Sequence, residues 1–239
     1  MLVKEQDEVL VLAQVEQGEA SRVFTVLAKN RGRFKLLAKG ERKILSKLRK
    51  GIDLFYLTKI TFIETPARII LTDVDLIDSF PALREDWRKF RLATRIANLL
   101  NDILPLETAE EEVFFLTKES FEDLSQAERY LQRYYYYYLW QLLKVLGYCP
   151  ETIDASFDKT LRSNFLKNIA HSKINWPRSD FFLNSIPRSL IKIILAGEKE
   201  VFYKTRISPT DQKNLARVSH LYLDSLALAK DSYSLNFKL

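Results

Sequence analysis

Up to about Asp78 the apolar residues of this chain recur at every second position, and from Ser79 onward they recur at every third or fourth. A two-residue repeat buries one face of a strand and a 3.6-residue repeat buries one stripe of a helix, so a single change of period means strands first and helices after. The expectation is an α+β protein of two domains, residues 1–79 and 80–239, each long enough for its own core. Six glycines and seven prolines in 239 residues leave little room for long linkers.

Within the first part, Val9–Glu16 reads as a strand and Gln17-Gly18-Glu19 as a turn. Ser21–Ala28 is a second strand, and Asn30-Arg31-Gly32 is a hairpin loop of residues that tolerate positive φ. Strands over Arg33–Lys39, Asp53–Glu64 and Arg68–Asp78 complete the set, the last two joined by a turn at Thr65-Pro66. Five short strands with a longer connection between the third and fourth suit an N-terminal barrel of the oligonucleotide-binding (OB) type, and an SH3-like barrel satisfies the same count. In that connection, Gly40–Gly51, the residues Ile44, Leu45 and Leu48 are expected to pin a short amphipathic turn to the barrel.

The second part reads as all helical. Ser79 with Pro81 opens a helix whose stripe is Leu83, Trp87, Phe90, Thr94 and Ala97. Thr108 with Glu111, and Ser125 with Glu128, have the spacing of capping boxes for the next two helices, and Gly147 and Pro150 end the second of these. An amphipathic segment around Leu161, Phe165 and Ile169 precedes a break at Asn175-Trp176-Pro177. Further helices are expected from near Pro187 to Gly197 and from Ser208-Pro209 to about Ala229.

Charge is distributed very unevenly. Arg22, Lys29, Arg31, Arg33, Lys35, Lys39, Arg42, Lys43, Lys47, Arg49 and Lys50 face a single acid, Glu41, in 29 residues, a local +10 that leaves the rest of a +6 chain at −4. A cationic segment in an otherwise slightly acidic protein is the footprint of a polyanion site, because each phosphate neutralised releases condensed counterions. On the third strand, alternation sends Phe34, Leu36 and Ala38 to one face and Arg33, Lys35, Leu37 and Lys39 to the other. The candidate DNA-binding residues are therefore Arg31, Arg33, Lys35 and Lys39 at the centre, with Arg22, Arg42, Lys43, Lys47, Arg49 and Lys50 extending the track.

Other chemistries find little support. One cysteine, Cys149, rules out an internal disulfide and any multi-cysteine zinc site within the chain, so no metal or cofactor is expected. His171 and His220 form no ligand-spaced pair, and Cys149 has no neighbouring histidine to activate it. Asp73, Asp75 and Asp78 alternate along the fifth strand, where acids on a solvent face are commoner than a magnesium nuclease site. There is neither a Gly-Lys-Ser/Thr phosphate loop nor a G-x-G-x-x-G fingerprint, and no enzyme is expected. The run Tyr134–Tyr138, with Trp140, is assigned to core or interface packing, with two or three rings turned inward. An acidic N-terminus and the lack of a long uncharged apolar stretch predict a cytoplasmic, nucleoid-associated protein without a membrane partner.

Gly18-Glu19-Ala20-Ser21-Arg22, Gly32 to Gly40 (Gly-Arg-Phe-Lys-Leu-Leu-Ala-Lys-Gly) and Ser46-Lys47-Leu48-Arg49 together resemble the N-terminal signature of the bacterial recombination mediator family RecO. Leu76 to Arg84 resembles that family's strand-to-helix junction, and Leu146-Gly147-Tyr148-Cys149-Pro150 its L-G-(F/Y)-x-P turn. The resemblance implies an OB barrel on a helical domain that binds single-stranded and double-stranded DNA, anneals complementary strands and helps load recombinase onto strands coated by single-strand-binding protein. The partners it implies are RecR, in many members RecF, and the acidic C-terminal tail of single-strand-binding protein. Many members carry a four-cysteine zinc module after the L-G-(F/Y)-x-P turn. Here Glu151 to Ala170 contains no cysteine, and the expected fold is the family's without that module. The alternative from another class is a non-catalytic interaction scaffold whose basic face docks an acidic protein.

Overall fold

The computed structural model describes residues 3–150 and 185–226. Five strands, β1 (Lys4–Gln17), β2 (Ser21–Ala28), β3 (Gly32–Ala38), β4 (Leu57–Glu64) and β5 (Ile69–Asp78), close a barrel in the order β1-β2-β3-β5-β4. All neighbours are antiparallel except β3 and β5, whose parallel pair Leu36↔Ile69 and Leu37↔Ile70 closes the wall. This is the five-stranded barrel expected. Its interior is the alternation read from sequence: Val9 and Val11, Phe24 and Val26, Phe34, Leu36 and Ala38, Ile60 and Phe62, and Ile69 and Leu71 fill it. Leu12 is the extra residue of a bulge between Val11 and Ala13, so the inward side of β1 changes phase there.

β4 begins at Leu57, four residues later than its sequence signal at Asp53. Phe55 takes φ 65 and its N–H donates to the Val11 carbonyl, which makes the approach to β4 a turn. The Phe55 ring leaves the barrel and meets Phe90 and Phe121 edge-on at 5.6 Å, and Phe80 meets Phe121 at 6.1 Å.

The helices after β5 are α1 (Pro81–Glu85), α2 (Trp87–Ile103) and α3 (Glu111–Gln126). Asp86 is extended (φ −98, ψ 113), caps α2 by accepting from Arg88 N–H and resets the helical phase. The stripe expected from Leu83 through Ala97 is therefore wrong in its middle. Trp87 and Phe90 are exposed, and Leu92, Ala93, Ile96, Ala97, Leu99 and Leu100 are buried instead. Both capping boxes also fail: α3 is preceded by Glu110 without a side-chain cap, and Ser125 lies inside α3, where its carbonyl accepts from Lys89 Nζ at 2.6 Å. α2 packs on β1, and the outward-facing Leu10 and Leu27 are fully buried. The period changes at residue 79, but compactness divides the chain later, into Met1–Leu131 and Gln132–Leu239.

In the second unit the described helices are α4 (Gln132–Val145), α5 (Ser185–Leu195), α6 (Lys199–Lys204) and α7 (Pro209–Ser225). Gly147 ends α4 as read from sequence: at φ 74 it lets Tyr148 N–H reach the Leu143 carbonyl (2.8 Å) and its own N–H reach Lys144 (3.0 Å). Gly197 closes α5 the same way, and Ser208 caps α7 with Pro209 in its first turn. Tyr135, Tyr136, Tyr137 and Tyr138 are all buried, more than the two or three expected, because α4 has α5, α6 and α7 as neighbours. Tyr134 lies against Tyr203 at 4.3 Å, and Trp140 stacks on Tyr222 at 5.2 Å and donates to Ser219 Oγ. The segment around Leu161, Phe165 and Ile169, His171, the Asn175-Trp176-Pro177 break and the stretch that would replace a zinc module lie outside the described residues, as does Ala229.

Candidate nucleic-acid interface

Register divides the cationic segment into three groups. Arg22 stands opposite Ala38 and Arg33 opposite Leu27, so Arg22, Lys39 and the Gly40–Gly51 connection lie at the barrel end where β1 turns into β2. Arg31 and Arg33 lie at the other end, and Lys35, opposite Thr25, lies between them. Eight residues of extended chain separate Arg31 from Lys39, about 26 Å.

Arg31 and Arg33 are held by protein groups. The Arg31 guanidinium forks onto Glu64 (2.8 and 3.0 Å) and reaches Glu107 at 3.4 Å and Glu5 at 3.8 Å. Glu64, foremost through its hydrogen bond, and Glu107 raise the Arg31 pKa, and Arg31 in turn lowers that of Glu64. Arg33 donates to the Leu104 carbonyl from Nε (3.2 Å) and Nη2 (2.6 Å) and to Asn101 Oδ1 (3.4 Å), which closes the C-terminus of α2. Burial lowers its pKa. The residues that follow α2 then run along β3: Leu106 bridges Arg33 in parallel, and Glu107 N–H donates to the Arg33 carbonyl at 2.8 Å. Gly32 makes this approach possible, since at φ 75 a Cβ there would stand 1.9 Å from the Thr108 carbonyl oxygen.

At the opposite end, Arg22 pairs with Glu41 (3.5 Å) and Arg42 with Glu16 (3.1 Å). Lys39, Lys43, Lys47, Arg49 and Lys50 are exposed and make no ion pair within 4.0 Å among the described residues, and the same is true of Lys35. Glu41, the lone acid of the segment, is 1% exposed, and burial pushes its pKa up against the pull of Arg22. It fixes the root of the connection together with Arg42 N–H donating to the Ala20 carbonyl and Gly40 N–H donating to Ser21 Oγ. Leu48 packs against the barrel core as expected, whereas Ile44 and Leu45 do not: they are 88% and 94% exposed.

A groove of about 450 Å³ crosses the outer face of the barrel between these ends. Gln17 at the end of β1, Val23 of β2, Lys35 and Leu37 of β3, the β4–β5 turn from Thr65 to Arg68, and Leu106 and Glu107 line it. The parallel β3–β5 register places Arg68 beside Lys35, so two cations share the groove wall. Arg68 lies outside the dense cationic window and only the closure of the barrel brings it there, so sequence reasoning missed it. Glu64 and Glu107 also border the groove, and both pair with Arg31, whose single charge offsets one of the two. Exposed Leu106 and half-buried Val23 offer apolar contact, and Lys35 and Arg68 offer charge for the phosphates of a strand.

Asp73, Asp75 and Asp78 are exposed on β5, Asp78 accepting from Phe80 N–H, and no cluster of three or more metal-ligating side chains occurs among the described residues. Burial pushes the Cys149 thiol up to about 11, and its Sγ lies 3.8 Å from the Trp140 carbonyl. His220 meets the Tyr136 ring edge-on at 6.1 Å. No helix among the described residues is long and apolar enough to cross a membrane.

Two family models cover the chain in order, Recombination protein O N terminal over residues 1–80 and Recombination protein O C terminal over residues 84–228. The chain belongs to the RecO family. It is similar to the DNA repair protein RecO of Acetivibrio thermocellus, 27% identical over 141 residues, 59% of this chain and 56% of that protein. With the RecO of Heliobacterium modesticaldum it shares 31% identity over 144 residues, 60% of this chain and 52% of that protein. With that of Thermoanaerobacter sp. it shares 23% over 224 residues, 90% of both chains. The chain thus spans little more than half the length of several curated relatives, and the RecO likeness extends across nearly all of one.

Proposed function

We propose that this RecO-family chain is a non-catalytic DNA repair and recombination mediator, which holds single-stranded DNA in the groove over β2 and β3. The observation that carries the reading is where the groove lies. OB barrels take oligonucleotides on the face of their second and third strands, between the β1–β2 and β4–β5 turns. The second and third strands and the β4–β5 turn line this groove, beside Gln17 at the end of β1, with Lys35 and Arg68 in its wall. A strand leaving the groove along β3 comes to Lys39 and then to Lys43, Lys47, Arg49 and Lys50 of the Gly40–Gly51 connection, which make no ion pair among the described residues. Contact through phosphates gives little sequence preference. A cationic surface also lowers the repulsion between two strands, so annealing of complementary DNA follows while base pairing supplies the specificity. Loading of recombinase onto strands coated by single-strand-binding protein, and engagement of RecR, RecF and the tail of single-strand-binding protein, belong to the same reading and rest on the family likeness.

Titration of a fluorescent oligonucleotide at several salt concentrations tests it. Neutralising about five phosphates gives a slope of log affinity on log salt near −3.5, at about −0.7 per phosphate for single strands. A slope near zero, together with tight binding of an acidic peptide, would favour a protein-docking scaffold instead.

A further inference from the structure

Ile44 and Leu45 are 88% and 94% exposed in the midst of the densest positive charge in the chain. They occupy the two corner positions of a tight turn, in which Ser46 N–H donates to the Lys43 carbonyl at 3.0 Å. Corner positions ordinarily carry Gly, Asn, Asp, Pro or Ser, so two branched aliphatics there gain nothing from the fold. The turn is nevertheless firmly rooted. Arg42 N–H is bonded to the Ala20 carbonyl on one side, and Leu48 packs against the barrel core on the other. Gly51 then fits so closely beneath Val74 that a Cβ would lie 2.7 Å from Val74 Cγ1. A fixed stem holding out an apolar tip, flanked by Arg42, Lys43, Lys47 and Arg49, is the form of a wedge that enters a base stack while cations hold the backbone on either side.

We propose that Ile44 and Leu45 form a stacking wedge that inserts at an opened base step where single-stranded DNA meets duplex. This rests on the DNA-binding reading above and adds a second contact of a different physical kind. The path favours a nucleic acid as the occupant. Ala20, which anchors the turn, lies in the short β1–β2 connection that follows Gln17 of the groove, and β3 runs from Lys35 in the groove wall to Ala38, with Lys39 next at the root of the turn. A strand lying in the groove is thereby led to the tip. Two side chains also match the size of one base step, whereas a lipid surface would be met by a far broader apolar face.

The test uses the full chain and its Ile44→Ser/Leu45→Ser variant, whose altered side chains have no part in the core. A forked oligonucleotide carries 2-aminopurine at the junction, a base whose fluorescence rises on unstacking. Wild type is expected to raise the signal. The variant should lose the rise and bind the fork at least tenfold more weakly with the salt slope unchanged, since apolar contact is not screened by salt. Lys43→Gln/Lys47→Gln should flatten the slope. If the protein binds with the expected slope but the junction stays stacked, or the variant matches wild type, the wedge is overturned and the groove stands. If no oligonucleotide binds, both fall. Sedimentation with phosphatidylglycerol vesicles that is abolished in the same variant would assign the tip to a lipid surface and overturn the wedge.

Discussion

Arg33 and Lys35 are two residues apart on the same face of β3, and their surroundings differ: one is bonded to protein groups and the other is exposed. Arg33 donates twice to the Leu104 carbonyl and once to Asn101 Oδ1, closing the end of α2 from a half-buried position. A hydrogen bond from a charged donor contributes about 1.5–3 kcal/mol, and a cation at a helix C-terminus a further 0.3–1 kcal/mol or so. Some of this is recovered by water in the variant, so Arg33→Met, which keeps the aliphatic stem, should cost about 2 kcal/mol. Lys35→Met, at an exposed position without an ion pair among the described residues, should cost less than about 0.5 kcal/mol. Native-state hydrogen exchange reads this locally: about 2 kcal/mol is a roughly 30-fold faster exchange of amides in β3 and the last turns of α2. The oligonucleotide titration should invert the order, with Lys35→Met flattening the salt slope and Arg33→Met leaving it in place. Equal protection in the two variants, or a slope lost only in Arg33→Met, would refute the assignment.

Gly32→Ala should destabilise the first unit by about 2 kcal/mol or more, because it adds a left-handed penalty to a collision with Thr108, and should lower the melting temperature read by circular dichroism. Arg31→Gln should weaken DNA binding although Arg31 is occupied by carboxylates, because Glu64 and Glu107 are then left bare at the groove; adding Glu64→Gln and Glu107→Gln should restore most of the affinity in the same titration. Glu41 has a raised pKa in the folded protein, so the unfolded chain ionises first as pH rises. Its contribution is full below the ordinary value of 4.5 and declines until the pH passes the folded value. Glu41→Gln removes that decline, and the ratio of variant to wild-type stability, measured by urea unfolding at pH 4 and pH 7, should rise with pH.

The barrel was legible because its walls obey a local rule: Phe34, Leu36 and Ala38 alternate with outward residues, and Gly18 and Gly32 supply positive φ at the turns. Gly147, Gly197 and Ser208 were legible for the same reason, each end of a helix being decided within a few residues. What escaped was decided by tertiary neighbours. Asp86 interrupts the helix and rotates Trp87 and Phe90 outward, and Ser125 has the spacing of a cap but sits within α3. Four tyrosines are buried where a lone helix would bury fewer, because three further helices surround α4. The site divides along the same line. The density of cations was visible, but the segment after α2 and the strand end at Glu64 supply the groups that hold Arg31 and Arg33, and only the parallel β3–β5 pair brings Arg68 to Lys35.

Reversing charge at the groove itself gives the most direct test. In the Lys35→Glu/Arg68→Glu variant, both positions are exposed and stability should change little. Its salt slope for a single-stranded oligonucleotide should be smaller in magnitude than that of wild type by about 1.4, two phosphate contacts at about 0.7 each. A variant that binds with the wild-type slope and affinity would place the DNA elsewhere on the molecule.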